Sequence, residues 1–412
     1  MSPLWRHRAF RRLWAAETIS QLGSQITVIA LPLLAIAIHA DVVELGVLAA
    51  LEFAPFVLFG LLAGAWIDRL PRRPVLVIAD LGRAVVLGSI PLGAALGVLS
   101  IAQLYVVAFL AGTLSVMFDV AYESFLPGLI GRDDLVDGNA KLELSRSGAQ
   151  IAGPTLGGTL VGLLSAPAAI LLDAASFVGS ALFIFGIPSE NRTSGPAADR
   201  ARRSIWSDIR EGLGYVLGQR YLRSIACCTA TANLFSGIMS ALLVAYLVRE
   251  VGLGATEVGV VLGVGNVGFV IGAVLSDRAR AWLGVGPVIV LAAAVAGAAA
   301  FLIPAAPHAH AAGFVAAGQL GIGLGASVYN INQVSLRQAI VPDRLRSRLT
   351  ATMRFVVWGT LPIGTVGGGL LGRAIGMGPA LWVAAIGGTA SFAWVALSPV
   401  RRLMETPPPD PG

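Results

Sequence analysis

The feature that most constrains this chain is a succession of long apolar stretches, each separated from the next by a polar loop. The stretch from Leu13 to Ile38, for example, contains a single charged residue. About 20 apolar residues cross a bilayer as a helix, whereas a barrel strand needs about 10 residues with strict alternation. No such alternation occurs, so the pattern predicts membrane-spanning helices.

Composition excludes the competing classes. Of the 412 residues, 56% are hydrophobic and 13% are charged, and the mean hydropathy is +0.79. An average soluble domain is about 25% charged, so this chain could not cover a soluble surface of its size. The same apolar content excludes a disordered chain.

Twelve apolar runs of helical length predict an all-α, polytopic membrane protein with twelve transmembrane helices. The runs lie at 12–38, 43–67, 74–98, 101–126, 141–165, 166–187, 224–249, 254–276, 286–306, 311–336, 349–372 and 377–398. Of the 29 basic residues, 24 fall in loops on one side of this arrangement and two on the other. Basic loops face the cytoplasm, so we expect a cell-membrane protein with both termini cytoplasmic. The first run is too long for a cleaved signal sequence and is interpreted as a retained helix.

Paired residues 208–210 positions apart indicate an internal repeat. The pairs are Asp68-Arg69 with Asp277-Arg278, Arg146 and Pro154 with Arg354 and Pro362, and Gly157-Gly158 with Gly367-Gly368. Two parallel six-helix repeats are typical of transporters that rock two halves around a central site. We therefore expect one bundle at 1–187, a cytoplasmic linker at 188–223, a second bundle at 224–400 and a tail at 401–412.

The linker contains a helical repeat of apolar residues within 204–218. These residues are Ile205, Trp206, Ile209, Leu213 and Val216. The spacing predicts an amphipathic helix on the membrane surface. A tether between the halves is favoured over a regulatory site.

The segment 60–74, GLLAGAWIDRLPRRP, resembles the signature loop of the major facilitator superfamily, G-x-x-x-D-R-x-G-R-R/K. The matching residues are Gly64, Asp68, Arg69, Arg72 and Arg73, while Pro71 replaces the loop glycine of the family. Gly60 and Gly64 are spaced for close helix contact. The resemblance implies a cytoplasmic latch in which Glu123 pairs with Arg72 or Arg73. The alternative is that the arginines serve only as orientation signals.

A second segment resembles the antiporter motif of the same family, G-P-x-x-G-G, which marks exporters. The matching residues are Gly153, Pro154, Gly157 and Gly158. A proline bends a spanning helix, and the glycines let another helix approach. We expect this helix to help close the cavity against the other half. The alternative is a general glycine-rich packing face.

Further motifs resemble the enterobactin-exporter and macrolide-efflux branch. They comprise Phe10-Arg11-Arg12-Leu13-Trp14, Asp80 with Arg83, Leu126-Pro127, Asn139 and Asp173-Ala174-Ala175-Ser176-Phe177. The similarity runs over nearly the whole chain. These motifs specify the branch and leave the substrate open.

Acidic residues inside spanning helices are costly and are functional candidates. Glu52 and Asp119 are the leading candidates for carrying protons, with Glu17 third. For Glu52, a carboxylate bonded to a neighbouring helix is an equal alternative. Asp80, Arg83, Arg146 and Asp173 are assigned to structural pairing. Asp80 and Arg83 stand three residues apart on one helix and can pair locally, as can Glu143 and Arg146.

Several polar residues are candidates for lining a cavity, with packing or helix-to-helix hydrogen bonds as the alternative. They are Asn266, Asn330, Asn332, Gln333 and Trp358. The pattern G-x-G-x-x-G at 263–268 lacks a preceding strand, so a helix contact through Gly268 and Gly272 is favoured over a nucleotide site. We expect no cofactor and no metal site, and Cys227 and Cys228 are interpreted as packing residues.

Together these patterns predict a secondary active exporter of a small organic molecule, working by proton antiport and alternating access. Drugs, siderophores and metabolites all remain open as substrates. The partners expected are the substrate, protons and membrane lipid, with no nucleic acid, and the protein is expected to be a monomer. The alternatives are an importer or uniporter of the same fold, or a lipid-handling membrane protein without solute turnover. An enzyme is not expected, since no nucleophile–base constellation occurs.

Overall fold

The computed structural model describes residues 3–67, 70–131, 134–188, 213–307 and 310–405. Within these ranges, the side chains of Pro3 and of residues 61–67, 343–352 and 354–358 are not described. Most of these residues are helical, and no strand occurs among them. The helices are α1 (Arg8–Ala37), α2 (Val42–Ile67), α3 (Arg72–Ala95), α4 (Ile101–Ile130), α5 (Leu135–Leu163), α6 (Ala166–Phe185), α7 (Arg220–Arg249), α8 (Ala255–Leu283), α9 (Val285–Ala300), α10 (Ala311–Ile340), α11 (Asp343–Ile375), α12 (Met377–Ala390) and the short α13 (Ala393–Ala396). Short 3-10 helices lie at Pro3–Arg6 and Pro399–Arg402.

The apolar runs of the sequence coincide with these helices. Within the described part of the chain, nine helices are long and apolar enough to cross a membrane. The prediction of an all-helical, multi-pass membrane protein is therefore confirmed. The count of twelve spans in two halves stays a prediction.

Local sequence explains where the helices begin and end. The Ser100 hydroxyl accepts a hydrogen bond from the Gln103 backbone N–H (3.3 Å) at the start of α4, which satisfies one of the free donors of the first turn. The same helix ends at Gly131, where φ is 76°. Only glycine adopts this left-handed conformation without strain.

The chain divides into two compact units. Unit 1 contains Met1–Asp41, Leu51–Arg202 and Gly254–Val260, so it includes the first turns of α8. Unit 2 contains Val42–Ala50, Arg203–Leu253 and Val261–Gly412, so it includes the first turns of α2. Neither unit is a continuous stretch of sequence.

The helix pairs that pack inside unit 1 recur in unit 2, six helices later. In unit 1, α1 packs on α5 and α6, and α3 packs on α4 and α6. In unit 2, α7 packs on α11 and α12, and α9 packs on α10 and α12. Every pair in the first set has its counterpart in the second, as a parallel repeat requires.

Part of the expected linker helix is described. Residues 213–218 are helical, and Val216 is buried against Leu222, Ala226 and Met353 of unit 2. Ile205, Trp206 and Ile209 lie outside the described residues. The full amphipathic helix therefore stays a prediction.

Candidate functional site

The antiporter-like motif lies in the unbroken helix α5, and its four named residues are buried. A Cβ built on Gly153 would lie 2.2 Å from Gln25 Cβ, and one built on Gly157 would lie 3.0 Å from Ile26 Cα. Both glycines thus face α1. Because the nearest atoms of α1 at Gly157 belong to its backbone, α1 can approach α5 this closely only where α5 carries no side chain.

Gly158 faces a different helix. A Cβ on Gly158 would lie 2.3 Å from the carbonyl oxygen of Ala255 and 2.9 Å from Gly259 Cα. Reciprocally, a Cβ on Gly259 would lie 2.3 Å from the carbonyl oxygen of Pro154. Within unit 1, α5 and the first turns of α8 therefore cross backbone to backbone. Of the motif glycines, Gly158 rather than Gly157 meets a helix of the second sequence half.

Helix α11 carries a spatial copy of this motif in unit 2. A Cβ on Gly368 would lie 2.8 Å from Ile238 Cα of α7, and one on Gly369 would lie 2.9 Å from Val43 Cα. A Cβ on Gly46 would in turn lie 2.5 Å from the carbonyl oxygen of Thr365. Unit 2 thus repeats both contacts, one with α7 and one with the first turns of α2.

These contacts correct the register of the repeat. Gly157 and Gly158 occupy the places of Gly368 and Gly369, which gives a separation of 211 residues. The repeat predicted from sequence pairs them instead with Gly367 and Gly368, and pairs Pro154 with Pro362. This predicted register was wrong because it relied on identical residue types, which align Pro154 with Pro362. The helix contacts show that the spatial equivalent of Pro154 is Thr365.

The first acidic candidate, Glu17, lies inside unit 1 on α1. Its Oε1 accepts a hydrogen bond from Gln21 Nε2 (2.8 Å). Its Oε2 is buried and has no hydrogen-bond partner among the described residues.

Asp80 and Arg83 form a buried ion pair on α3, as their spacing predicted. Asp80 is 0% exposed and Arg83 is 7% exposed. The Arg83 guanidinium also lies between two aromatic rings, 4.5 Å from the centre of Phe118 and 4.2 Å from that of Phe177. Cation–π contacts are stronger when the cation is desolvated, as the buried Arg83 is. Sequence reasoning missed both rings, because they come from α4 and α6.

Asp173 is buried between α6 and α1. It accepts hydrogen bonds from the Thr27 hydroxyl and from the Ser176 hydroxyl (3.2 Å). Gly23 makes this possible, since a Cβ there would lie 2.2 Å from Ser176 Oγ. The contacts agree with a structural role for Asp173.

Glu52 and Asp119 differ in their surroundings. Glu52 is half-buried on α2, and its side chain makes no hydrogen bond or ion pair with another described residue. Its backbone carbonyl lies against α4, where a Cβ on Gly112 would be 2.9 Å away. Asp119 is exposed on α4. Glu17, Glu52 and Asp119 all belong to unit 1.

Only part of the latch-like loop is described. Asp68 and Arg69 lie outside the described residues, as does the side-chain environment of Gly64. Among the described residues, a Cβ on Gly60 would meet no atom within 4 Å, so the close helix contact expected of Gly60 and Gly64 stays a prediction. The spacing of small residues permits a close approach but does not require one.

Arg73 has partners that the sequence did not suggest. Its guanidinium donates to the carbonyl oxygens of Ile184 (3.3 Å) and Phe185, and Arg12 donates to that of Gly186. These carbonyls end α6, where cations interact favourably with the helix dipole. Arg73 therefore ties α3 to α6. Arg72 is half-buried and Glu123 is exposed.

The polar candidates of unit 2 fall into two groups. Asn332 is buried and donates hydrogen bonds to Ser276 Oγ (2.9 Å) and to the Val328 carbonyl (2.8 Å), which joins α10 to α8. Gln333 is also buried and donates to Asn330 (3.0 Å), which is exposed. Asn266 is half-buried on α8. Trp358 lies outside the residues whose side chains are described.

The G-x-G-x-x-G segment serves as a helix contact, as predicted. A Cβ on Gly268 would lie 2.1 Å from the Leu320 carbonyl oxygen, and one on Gly272 would lie 2.4 Å from that of Leu324. Helices α8 and α10 of unit 2 thus cross closely along this glycine face.

Comparison with known proteins gives the family. The sequence model of the family described as the Major Facilitator Superfamily matches residues 13–361. The chain therefore belongs to this superfamily. It is a multi-pass membrane transporter rather than an enzyme.

Two curated relatives are informative. The multidrug efflux pump Tap of Mycolicibacterium fortuitum is 27% identical over 374 residues, which cover 89% of each chain. The uncharacterized MFS-type transporter YfiS of Bacillus subtilis (strain 168) is 26% identical over 216 residues. That match covers 52% of this chain and 51% of YfiS, about half the length of each.

Solved structures share the fold at low identity. A bacterial homologue of the iron transporter ferroportin, in an inward-facing state, aligns with a TM-score of 0.75 at 18% identity, over 96% of this chain and 99% of that one. A mutant of the nucleoside transporter NupG aligns with a TM-score of 0.74 at 14% identity, over 95% and 99%. These likenesses concern the fold alone.

Proposed function

We propose that the protein exports small amphipathic organic molecules from the cell in exchange for protons, with both termini in the cytoplasm. The similarity to the multidrug efflux pump Tap over 89% of both chains carries this proposal. The antiporter-like motif supports the direction of transport. The backbone crossing at Gly158 supports a role for α5 in closing the transport path.

Proton exchange needs a carboxyl group that can lose and regain its charge inside the membrane. An ionised carboxylate at the bilayer centre costs about 2.5–3.5 kcal/mol on insertion scales, so such a group is retained for pairing or for titration. Glu52 has no pairing partner among the described residues, whereas Glu17 bonds to Gln21. Glu52 is therefore the first proton carrier to test, with Asp119 and Glu17 next.

Reconstituted vesicles test the activity and its direction. The purified protein is placed in vesicles loaded with a panel of fluorescent amphipathic dyes, including ethidium and rhodamine. We expect an imposed pH gradient to accelerate dye movement towards the more acidic side. Dye movement indifferent to the gradient would contradict antiport, and no movement of any dye would contradict multidrug export.

Glu52→Gln replaces the carboxyl with a neutral group of the same shape. We expect the variant to lose the acceleration by a pH gradient, because its side chain can no longer release a proton, while dye binding persists. Glu44→Gln, at the start of the same helix, is the matched control and should respond like wild type. Full acceleration in Glu52→Gln would remove Glu52 from this role and make Asp119→Asn and Glu17→Gln the next variants.

The latch is tested at Asp68, the acidic residue within its signature loop. Asp68→Asn is expected to slow dye transport severalfold with normal membrane insertion, since the family resemblance places Asp68 in a charged contact that stabilises one state. Transport rates and membrane yield are measured together. Wild-type transport by this variant would show that the segment acts only as an orientation signal.

A further inference from the structure

One corner of unit 2 combines exposed arginines with exposed apolar side chains. It is formed by the end of α8 and by the C-terminal segment of the described chain. We call it the arginine corner and define it by Arg278, Arg280, Trp282, Arg401, Arg402 and Met404. All six side chains are exposed, Trp282 at 84% and Met404 at 65%.

The C-terminal segment is held in place by backbone hydrogen bonds. The N–H of Gly286 donates to the carbonyl of Leu403 (2.7 Å), and the N–H of Val285 donates to that of Met404 (3.2 Å). A Cβ on Gly286 would lie 1.8 Å from the carbonyl oxygen of Val400. The close docking of this segment therefore depends on glycine at the start of α9.

Apolar packing brings the two sets of arginines to the same corner. Val400 and Val285 are buried in one cluster, and Ala279 and Leu403 pack against it. Ala279 lies between Arg278 and Arg280, and Leu403 follows Arg402 directly. The arginines of α8 and those of the C-terminal segment therefore flank a common core.

The charge of the corner is positive. The corner contains four arginines, and the acidic residues next to them in sequence are Asp277 and Glu405. Asp277 pairs with Arg280 at 3.2 Å. Arg278, Arg401 and Arg402 have no acidic partner among the described residues. This arrangement attracts an anion.

The apolar part of the corner selects the kind of anion. Trp282 lies in the last turn of α8, a helix long and apolar enough to cross the membrane, and tryptophan concentrates at the membrane–water interface. A free phosphate would gain nothing from Trp282 and Met404. An anionic phospholipid would place its headgroup among the arginines and its acyl chain along these two side chains.

We propose that the arginine corner is a binding site for an anionic phospholipid. Basic residues next to a spanning helix attract anionic headgroups by roughly fivefold in affinity for each Lys or Arg near the membrane surface. The proposal does not rest on the proposed export activity.

Quenching of Trp282 fluorescence by brominated lipid tests the proposal. Wild-type protein and Trp282→Phe are reconstituted with either dibrominated phosphatidylglycerol or dibrominated phosphatidylcholine at equal mole fraction. The difference between the two proteins gives the contribution of Trp282. We expect brominated phosphatidylglycerol to quench Trp282 more strongly than brominated phosphatidylcholine.

The double variant R401Q/R402Q is expected to weaken this lipid preference by roughly fivefold for each arginine lost. The control R8Q/R11Q removes two exposed arginines of α1 and should keep the preference. Equal quenching by the two lipids, an unchanged preference in R401Q/R402Q or an equal loss in the control would each overturn the proposal. Relief of quenching by millimolar inorganic phosphate would also overturn it, because the ligand would then be the anion alone.

Discussion

Gly158→Leu is expected to abolish transport. At this position even a Cβ would lie 2.3 Å from one backbone atom and 2.9 Å from another, and backbone atoms cannot rotate away. Leucine therefore forces α5 and the first turns of α8 apart. Overpacking of this kind costs about 1–3 kcal/mol or more. The initial rate of dye transport in reconstituted vesicles measures the effect, and the midpoint of thermal unfolding shows how far the variant is destabilised.

The same helix offers a matched control. A Cβ on Gly148 would meet no atom within 4 Å, so Gly148→Leu should transport and unfold like wild type. Alanine substitutions at Gly158 and Gly157 allow a milder comparison. The Cβ of Gly158→Ala would lie 2.3 Å from its nearest atom, whereas the Cβ of Gly157→Ala would lie 3.0 Å from its nearest atom. We expect Gly158→Ala to be the more damaging of the two. Unchanged transport in Gly158→Leu would mean that the crossing plays no part in the cycle.

Hydrophobic length predicted the helices well, because it depends on local composition alone. Each apolar run coincides with one of α1 to α12, and the family motifs identified the superfamily. The partners of individual glycines could not be predicted in the same way. The motif in α5 contains glycines on two faces, and only the three-dimensional packing assigns Gly157 to α1 and Gly158 to α8.

The contacts of charged residues could likewise be predicted only where both partners are close in sequence. The spacing of Asp80 and Arg83 on one helix was enough to predict their ion pair. Phe118 and Phe177 lie far from Arg83 in sequence, so nothing local indicated their contact with it. Glu123 was expected to pair with Arg72 or Arg73, whereas the partners found for Arg73 are carbonyl oxygens at the end of α6. Every residue has a backbone carbonyl, so the sequence does not indicate which of them accepts a hydrogen bond from an arginine.

Arg83→Leu is expected to have the largest effect on stability. It would leave the fully buried Asp80 carboxylate without its cation, and breaking a buried ion pair from one side costs about 3–5 kcal/mol. Arg83→Lys should recover part of this loss, since an ammonium keeps the charge but lacks the flat face that lies between Phe118 and Phe177. Thermal unfolding in detergent measures both variants.

The double variant Asp80→Leu/Arg83→Leu separates the two causes of this loss. If the loss comes from an uncompensated charge, replacing both partners by apolar side chains should restore much of the stability, because a buried ion pair is close to neutral in net free energy. If it comes from the two ring contacts, the double variant should stay as unstable as Arg83→Leu. Arg146→Leu removes an exposed arginine from α5 and should unfold near the wild-type temperature. An Arg83→Leu variant as stable as this control would contradict the prediction. It would show that the buried Asp80 does not need its cation for the protein to remain stable.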